Sequence, residues 1–207
     1  MLRFRIGVIV TALLGSVMGG CPTDDADLSA ALAADPTVGR PAAPAAEASP
    51  PPTEPVDDFA ARLAAEFPSC DEPAAVDAWR SRILELVNQE RVRNGLGTVV
   101  RNQTLEDQAT QYACEMISFD FFAHVNPVTQ STLSVRAEQF GYDFRVVGEN
   151  LAAGQRTPEE AFADWMASPS HRQNILDGRF TELGVGVRTG GEFGVYWVQE
   201  FGLPAVP

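Results

Sequence analysis

The stretch "ELGVGVRTGGEFGVYWVQEF", residues 182–201, decides the fold class. Valines alternate with small or polar residues up to the glycine pair Gly190-Gly191, and beyond it valines and aromatics alternate again. Period-two patterning on both sides of a glycine pair predicts a β-hairpin. The chain upstream reads differently. "TPEEAFADWMA" (157–167) opens as a helix should: Thr157 caps, Pro158 fits the first position and Glu160 closes a capping box.

Further out, "RVVGENLA" (145–152) reads as a short strand running into a glycine turn. A helix is expected over 132–140, ending at Gly141, and another opening at Thr104, with Asp107 as a weak capping box. That second helix buries Leu105, Ala109, Tyr112 and Met116. "NQT" at 102–104 also matches a glycosylation acceptor, but capping by Thr104 accounts for it. Before it, Val76, Trp79, Ile83, Leu86 and Val87 share one face of a helix that stops at "RNG", where Gly95 suits the left-handed cap. Helices first, a hairpin last and a strand between predict an α+β fold, a small antiparallel sheet covered by helices.

The remainder is not core. Arg3 and Arg5 precede "IGVIVTALLGSVM", an apolar run too short to span a bilayer, and small residues lead to Cys21. Residues 1–20 therefore read as a bacterial lipoprotein signal with Cys21 as the lipidated residue. An ordinary signal peptide followed by a chance cysteine is the plainer alternative. A lipidated cysteine would make the membrane a partner, because each buried methylene contributes roughly 0.8 kcal/mol. Pro22 follows the cysteine, and outer-membrane or cell-surface delivery is the expectation. From 21 to 55 the chain is Ala, Pro, Asp and Glu with almost nothing to bury, a disordered tether. In 56–73, Val56, Phe59, Leu63 and Phe67 make one apolar helical face, able to dock on the domain at 74–207.

Setting Cys21 aside leaves Cys70 and Cys114 in a compartment that permits disulfides. A Cys–His nucleophile pair is the alternative, but no nucleophile signature surrounds either cysteine. A bridge there closes a loop worth on the order of 3–4 kcal/mol. All fifteen basic residues are arginine and the net charge is −13. Phosphate backbones repel such a chain, which excludes nucleic acid as a partner.

Three polar groups sit in apolar frames: His124 in "FFAHVNP", Glu149 in "VVGENLAAG" and His171 after Ser168-Pro169 in "SPSHRQNIL". The chain has only two histidines. Pro127 bars helix at Asn126, so His124 stands where regular backbone ends. A glutamate among valine, leucine and alanine is expected to be buried and to need a partner. Two imidazoles and a carboxylate suffice as zinc ligands with one position left for water. There is no HExxH, and the three residues come from separate segments. His124 and Glu149 could act as a general acid–base pair without metal, but no GxSxG elbow supplies a serine. A buried polar network that fixes one loop arrangement is the third option.

"FFAHVNP", "GENLAAG", "ADWMASPSHRQNIL" and "FTELGVGV", in this order and spacing, resemble the bacterial branch of the CAP superfamily. Its members are cysteine-rich secretory, antigen 5 and pathogenesis-related proteins, and its module is also called the SCP domain. The resemblance covers about residues 78–203. It implies a three-layer α-β-α sandwich, an extracytoplasmic location and a cleft often lined by two histidines and two acids. His124 matches the first histidine and Glu149 the acid of the "GEN" motif. The second acid falls on Ser168 and the second histidine on Arg179, both departures; His171 is placed to supply the missing imidazole. The expected cleft set is His124, Glu149, His171, Asn150 and Ser168; Asn150, Arg172 and Asn174 could each line the cleft or serve as helix-end partners, and the second reading is favoured for all three. Trp165 and Trp197 read as core. Family members are linked to lipid and sterol binding, so a lipid, peptide or cell-wall fragment is the expected ligand class. Metal-assisted hydrolysis and a purely structural envelope role are the alternatives.

Overall fold

The computed structural model describes residues 56–205. The signal peptide (1–20), Cys21 and the tether (21–55) read from the sequence lie outside the described residues. The order of elements is α1 (Val56–Glu66), α2 (Val76–Arg93), β1 (Val100–Arg101), α3 (Gln103–Ser118) and α4 (Leu133–Gln139). It continues with β2 (Phe144–Ala153), α5 (Pro158–Ala167), α6 (Pro169–Ile175), β3 (Glu182–Gly190) and β4 (Gly194–Pro204).

The four strands lie in the order β1-β3-β4-β2. The expected hairpin forms β3 and β4, paired antiparallel from Glu182↔Gly202 to Gly190↔Gly194, so the turn is Gly191–Phe193 rather than the glycine pair itself. β2 joins β4 antiparallel, with Glu149 opposite Glu200 and Asn150 opposite Gln199. The sheet is not wholly antiparallel as expected. The two-residue β1 adds a parallel edge to β3, and two residues are too few for any periodic signal in sequence.

Alternation along β4 builds both halves of the core. Trp197 and Phe201 face Ile83 and Val87 of α2, Trp165 of α5 and Ile175 of α6. Tyr196 and Val198 face Ala109, Tyr112, Ala113 and Met116 of α3. Helices thus cover both faces, giving the expected α+β sandwich, and β4 is buried on either side. Leu63 of α1 and Phe67 just beyond it pack on Cys114, and Cys70–Cys114 is a disulfide that ties this amphipathic segment to α3.

Local signals explain most boundaries. Gly95 and Gly141 take positive φ after α2 and α4, as helix-terminating glycines do. Thr132 and Thr157 cap α4 and α5. The Glu160 carboxylate reaches back to the amide of Arg156, one residue before the cap amide that a standard capping box engages. α3 corrects the expected start. Its cap is Asn102, whose Oδ1 accepts from the Leu105 amide, and Thr104 lies inside the first turn. Asp107 instead accepts from Gln103 along the helix. The amide of Asn102 donates to Glu182 at 3.0 Å, an internal use of the glycosylation-like asparagine.

Candidate functional site

α3 and β2 present the central residues. Glu149 lies mid-way along β2 and is 6% exposed. His124 follows the loop after α3, where Asn126 holds the turn by accepting from the amides of Val128 and Thr129. The Tyr112 hydroxyl donates to the carbonyl of Ala123 at 2.6 Å and pins the residue before the histidine. His124 Nδ1 is then 2.7 Å from Glu149 Oε1. An ionised carboxylate only accepts, so the proton is on Nδ1 and the Nε2 position is left out of this bond.

The other carboxylate oxygen is taken by Arg136 of α4, whose Nη2 donates to Glu149 Oε2 at 2.5 Å. Arg136 also donates to the carbonyls of His124 and Ser131, and its guanidinium carbon stands 3.4 Å over the Tyr112 ring. Burial pulls the Arg136 pKa down, but the neighbouring Glu149 carboxylate leads the opposing effects and the net shift is upward. Burial, followed by the Glu149 charge, raises the Tyr112 hydroxyl and keeps it neutral. A buried carboxylate held by a guanidinium and an imidazole is satisfied on both oxygens.

His171 is half-buried on α6, and its backbone carbonyl accepts from Asn150 Nδ2 at 3.0 Å. Burial, then the charge of His124, lowers its pKa. Asn174 donates to the carbonyl of Glu149 and to Oδ1 of Asn150, fastening α6 along the outer edge of β2. Asn150 and Asn174 thus hold strand to helix, as expected of Asn174; Arg172 is exposed. Ser168 caps α6, is 5% exposed and has its hydroxyl 3.3 Å from that of Ser170. Of the five predicted cleft residues, His124 and Glu149 are in direct contact, and His171 meets Asn150 through its backbone carbonyl.

The zinc expectation for His124, Glu149 and His171 is not supported. Among the described residues, no group of three or more His, Cys, Asp or Glu side chains is placed to hold a metal ion. Both oxygens of Glu149 already accept hydrogen bonds, one from the Arg136 guanidinium and one from the His124 imidazole. Trp165 and Trp197 are fully buried, as read from sequence.

Arg136, Tyr112, Gln108 and Glu200 were missed. A signal existed for Glu200, which continues the inward-facing series Tyr196 and Val198 and so puts a charge at an apolar position. A cavity of about 620 Å³ lies on the other edge of the sheet, lined by Arg80, Leu84, Val92, Arg101, Leu183 and Val185; no predicted site residue reaches it.

Residues 84–201, more than half of the chain, match the family model "Cysteine-rich secretory protein family" (CAP). The chain belongs to this family. It is 37% identical over 129 residues to the uncharacterized protein YkwD of Bacillus subtilis, covering 62% of this chain and 49% of that protein. An extracellular protein containing an SCP domain from Bacillus anthracis matches with a TM-score of 0.55 at 30% identity, over 61% of this chain and 40% of the other. An outer surface protein from Borrelia burgdorferi matches with a TM-score of 0.55 at 20% identity, over 59% of this chain and 90% of the other; that likeness shows the fold alone. The chain spans about half the length, or less, of its Bacillus relatives.

Proposed function

We propose that this is an extracytoplasmic, lipid-anchored CAP-domain protein that binds a small ligand at His124. The observation that carries the reading is the His124–Glu149 pair: an imidazole with 22% of its side chain exposed, backed by a carboxylate with 3% exposed. An orientated imidazole at the surface, with its partner fully engaged behind it, offers a hydrogen bond at little reorganisation cost. Ser168, His171 and Asn150 complete the proposed cleft. Exposed Val125, Val128 and Val135 near His124 in the chain favour a ligand with apolar surface, such as a lipid, a peptide or a cell-wall fragment. The location is supported by the signal-like residues 1–20 and by similarity to an extracellular Bacillus anthracis protein.

Extraction of the purified full chain followed by mass spectrometry tests the binding reading. A ligand should be recovered from wild type and be lost or weakened at least tenfold in His124→Ala, with unfolding little changed. Failure to carry or take up anything from lipid, peptide and wall-fragment panels overturns it. The anchor has its own test: Cys21→Ala should move the protein from the membrane fraction to the soluble one.

A second reading draws on the same dyad, since an imidazole oriented by a carboxylate is the arrangement of a general base in hydrolysis. It requires turnover of a peptide or ester substrate that His124→Gln abolishes. A purely structural envelope role requires that neither ligand nor turnover responds to His124 while stability does.

A further inference from the structure

The outer edge of β1 faces α2. The amides of Val100 and Asn102 donate to the carbonyls of Thr181 and Leu183, on the β3 side, so Val99 and Arg101 turn their amides and carbonyls the other way. At Val99 that outward row is filled by a side chain. Asn88 of α2 donates to the Val99 carbonyl at 2.9 Å and accepts from its amide at 2.8 Å, the two bonds that a residue on an added strand would make. Arg101 is the next outward residue on the same edge. It is exposed, and its amide and carbonyl have no backbone partner among the described residues.

The cavity of about 620 Å³ lies at this edge, and its volume is that of a ligand site. Leu84 and Val92 of α2 and Leu183 and Val185 of β3 give it apolar walls, while Ser81, Gln89 and Thr98 add hydroxyl and amide groups. Ser81 and Val92 are about 16 Å apart along α2, the length of about five residues of extended chain. A hydrocarbon tail would match the apolar walls but leave the hydroxyl, amide and backbone groups without partners as they lose water. A peptide brings both apolar side chains and amides.

Charge narrows the choice further. Arg80, Arg93 and Arg101 line the cavity with Glu85 and Glu106, and both glutamates are already engaged. Glu106 accepts from Arg101 Nε and Nη2 and has Arg80 3.4 Å away, and Glu85 accepts from Arg82 and Gln89. Arg101 keeps Nη1 for another acceptor, and the Arg93 side chain is 69% exposed. The charge left open to a ligand is thus cationic, in a chain whose net charge is −13. We propose that the cavity between α2 and the β1 edge binds an extended peptide of about five residues that carries a carboxylate. Its backbone pairs with Arg101 and continues the row begun by Asn88. An apolar side chain enters between Leu84 and Val185, and the carboxylate, on a side chain or at the C-terminus, meets Arg101 Nη1. The site is separate from His124 and stands whichever ligand binds there.

An array of fluorescent, acetylated pentapeptides tests this, with Ala, Val or Leu at the first four positions. The last position is Asp or Glu as the amide, Leu with a free carboxylate, or Leu as the amide; palmitate is the hydrocarbon control. Anisotropy with the full chain should show saturable binding of at least one acidic member below about 1 mM, and binding about tenfold weaker for its neutral counterpart. The two acidic arms tell a side-chain from a C-terminal carboxylate. Val92→Glu changes an exposed helical position and should weaken that binding about tenfold with the melting temperature unchanged. Arg101→Gln should erase the preference for acidic peptides, and the Arg101 amide should shift in nitrogen-15 spectra on titration. No binding across the array, binding that ignores both variants, or preference for palmitate over every peptide overturns the proposal. Shifts centred on His124 rather than Arg101 do so as well. If Arg101→Gln does not fold, Val92→Glu and the Arg101 amide shift decide.

Discussion

Arg136 gives up its hydration to lie between the Glu149 carboxylate and the Tyr112 ring, and it holds the backbone of His124 as well. Arg136→Met should therefore cost about 3–5 kcal/mol, because it strands a buried carboxylate; urea unfolding measures the loss. A cost below 1 kcal/mol would mean that Glu149 finds another partner or takes a proton. His171 makes a different prediction. Its pKa is lowered by burial and then by His124, so the folded state favours the neutral ring. That contribution is complete above the ordinary value of 6.5 and fades as pH falls below it through the lowered value. His171→Gln keeps the backbone carbonyl that Asn150 uses and should flatten the acid side of a melting-temperature profile below pH 6.5. An unchanged slope would show that the ring takes up its proton equally in the folded and unfolded chain.

At the scale of elements, the approach of α3 to β3 controls the site, since α3 carries Tyr112 and Gln108. Gly184 and Gly186 make that approach possible: a Cβ on Gly184 would overlap the backbone of Leu105 and Glu106, and one on Gly186 the backbone of Ala109. Backbone cannot rotate aside as a side chain can. Gly186→Val should destabilise by about 3 kcal/mol or more and also loosen His124, visible as faster amide exchange at Ala123 and His124. The alternation "LGVGV" marks a strand, yet the need for glycine on its α3 face is a property of the packed pair.

Over the whole molecule, the disulfide joins the amphipathic segment to the domain by closing 44 residues. The chain-entropy model assigns such a loop about 4 kcal/mol. Reduction, or Cys70→Ser with Cys114→Ser, should lower the melting temperature by roughly 10 °C and expose α1 to protease first. An unchanged melt would show that Leu63 and Phe67 dock α1 unaided. The same geometry brings Phe59 against Phe140 at the end of α4, so the segment spans α3 and α4 together.

The sequence by itself determined the class of fold, the hairpin, most helix caps, the disulfide partners and the identity of His124 and Glu149 as a linked pair. Each of these rests on local periodicity, on turn chemistry, on a count of two remaining cysteines or on motifs in linear order. Only the tertiary structure decided the parallel strand β1, the role of Asn102, the clamp by Arg136 and the burial of Glu200 opposite Glu149. It also placed the Glu149 carboxylate between a guanidinium and an imidazole. Those features arise where segments far apart in the chain meet, and whether a charge finds its partner depends on distance and burial that no single stretch encodes.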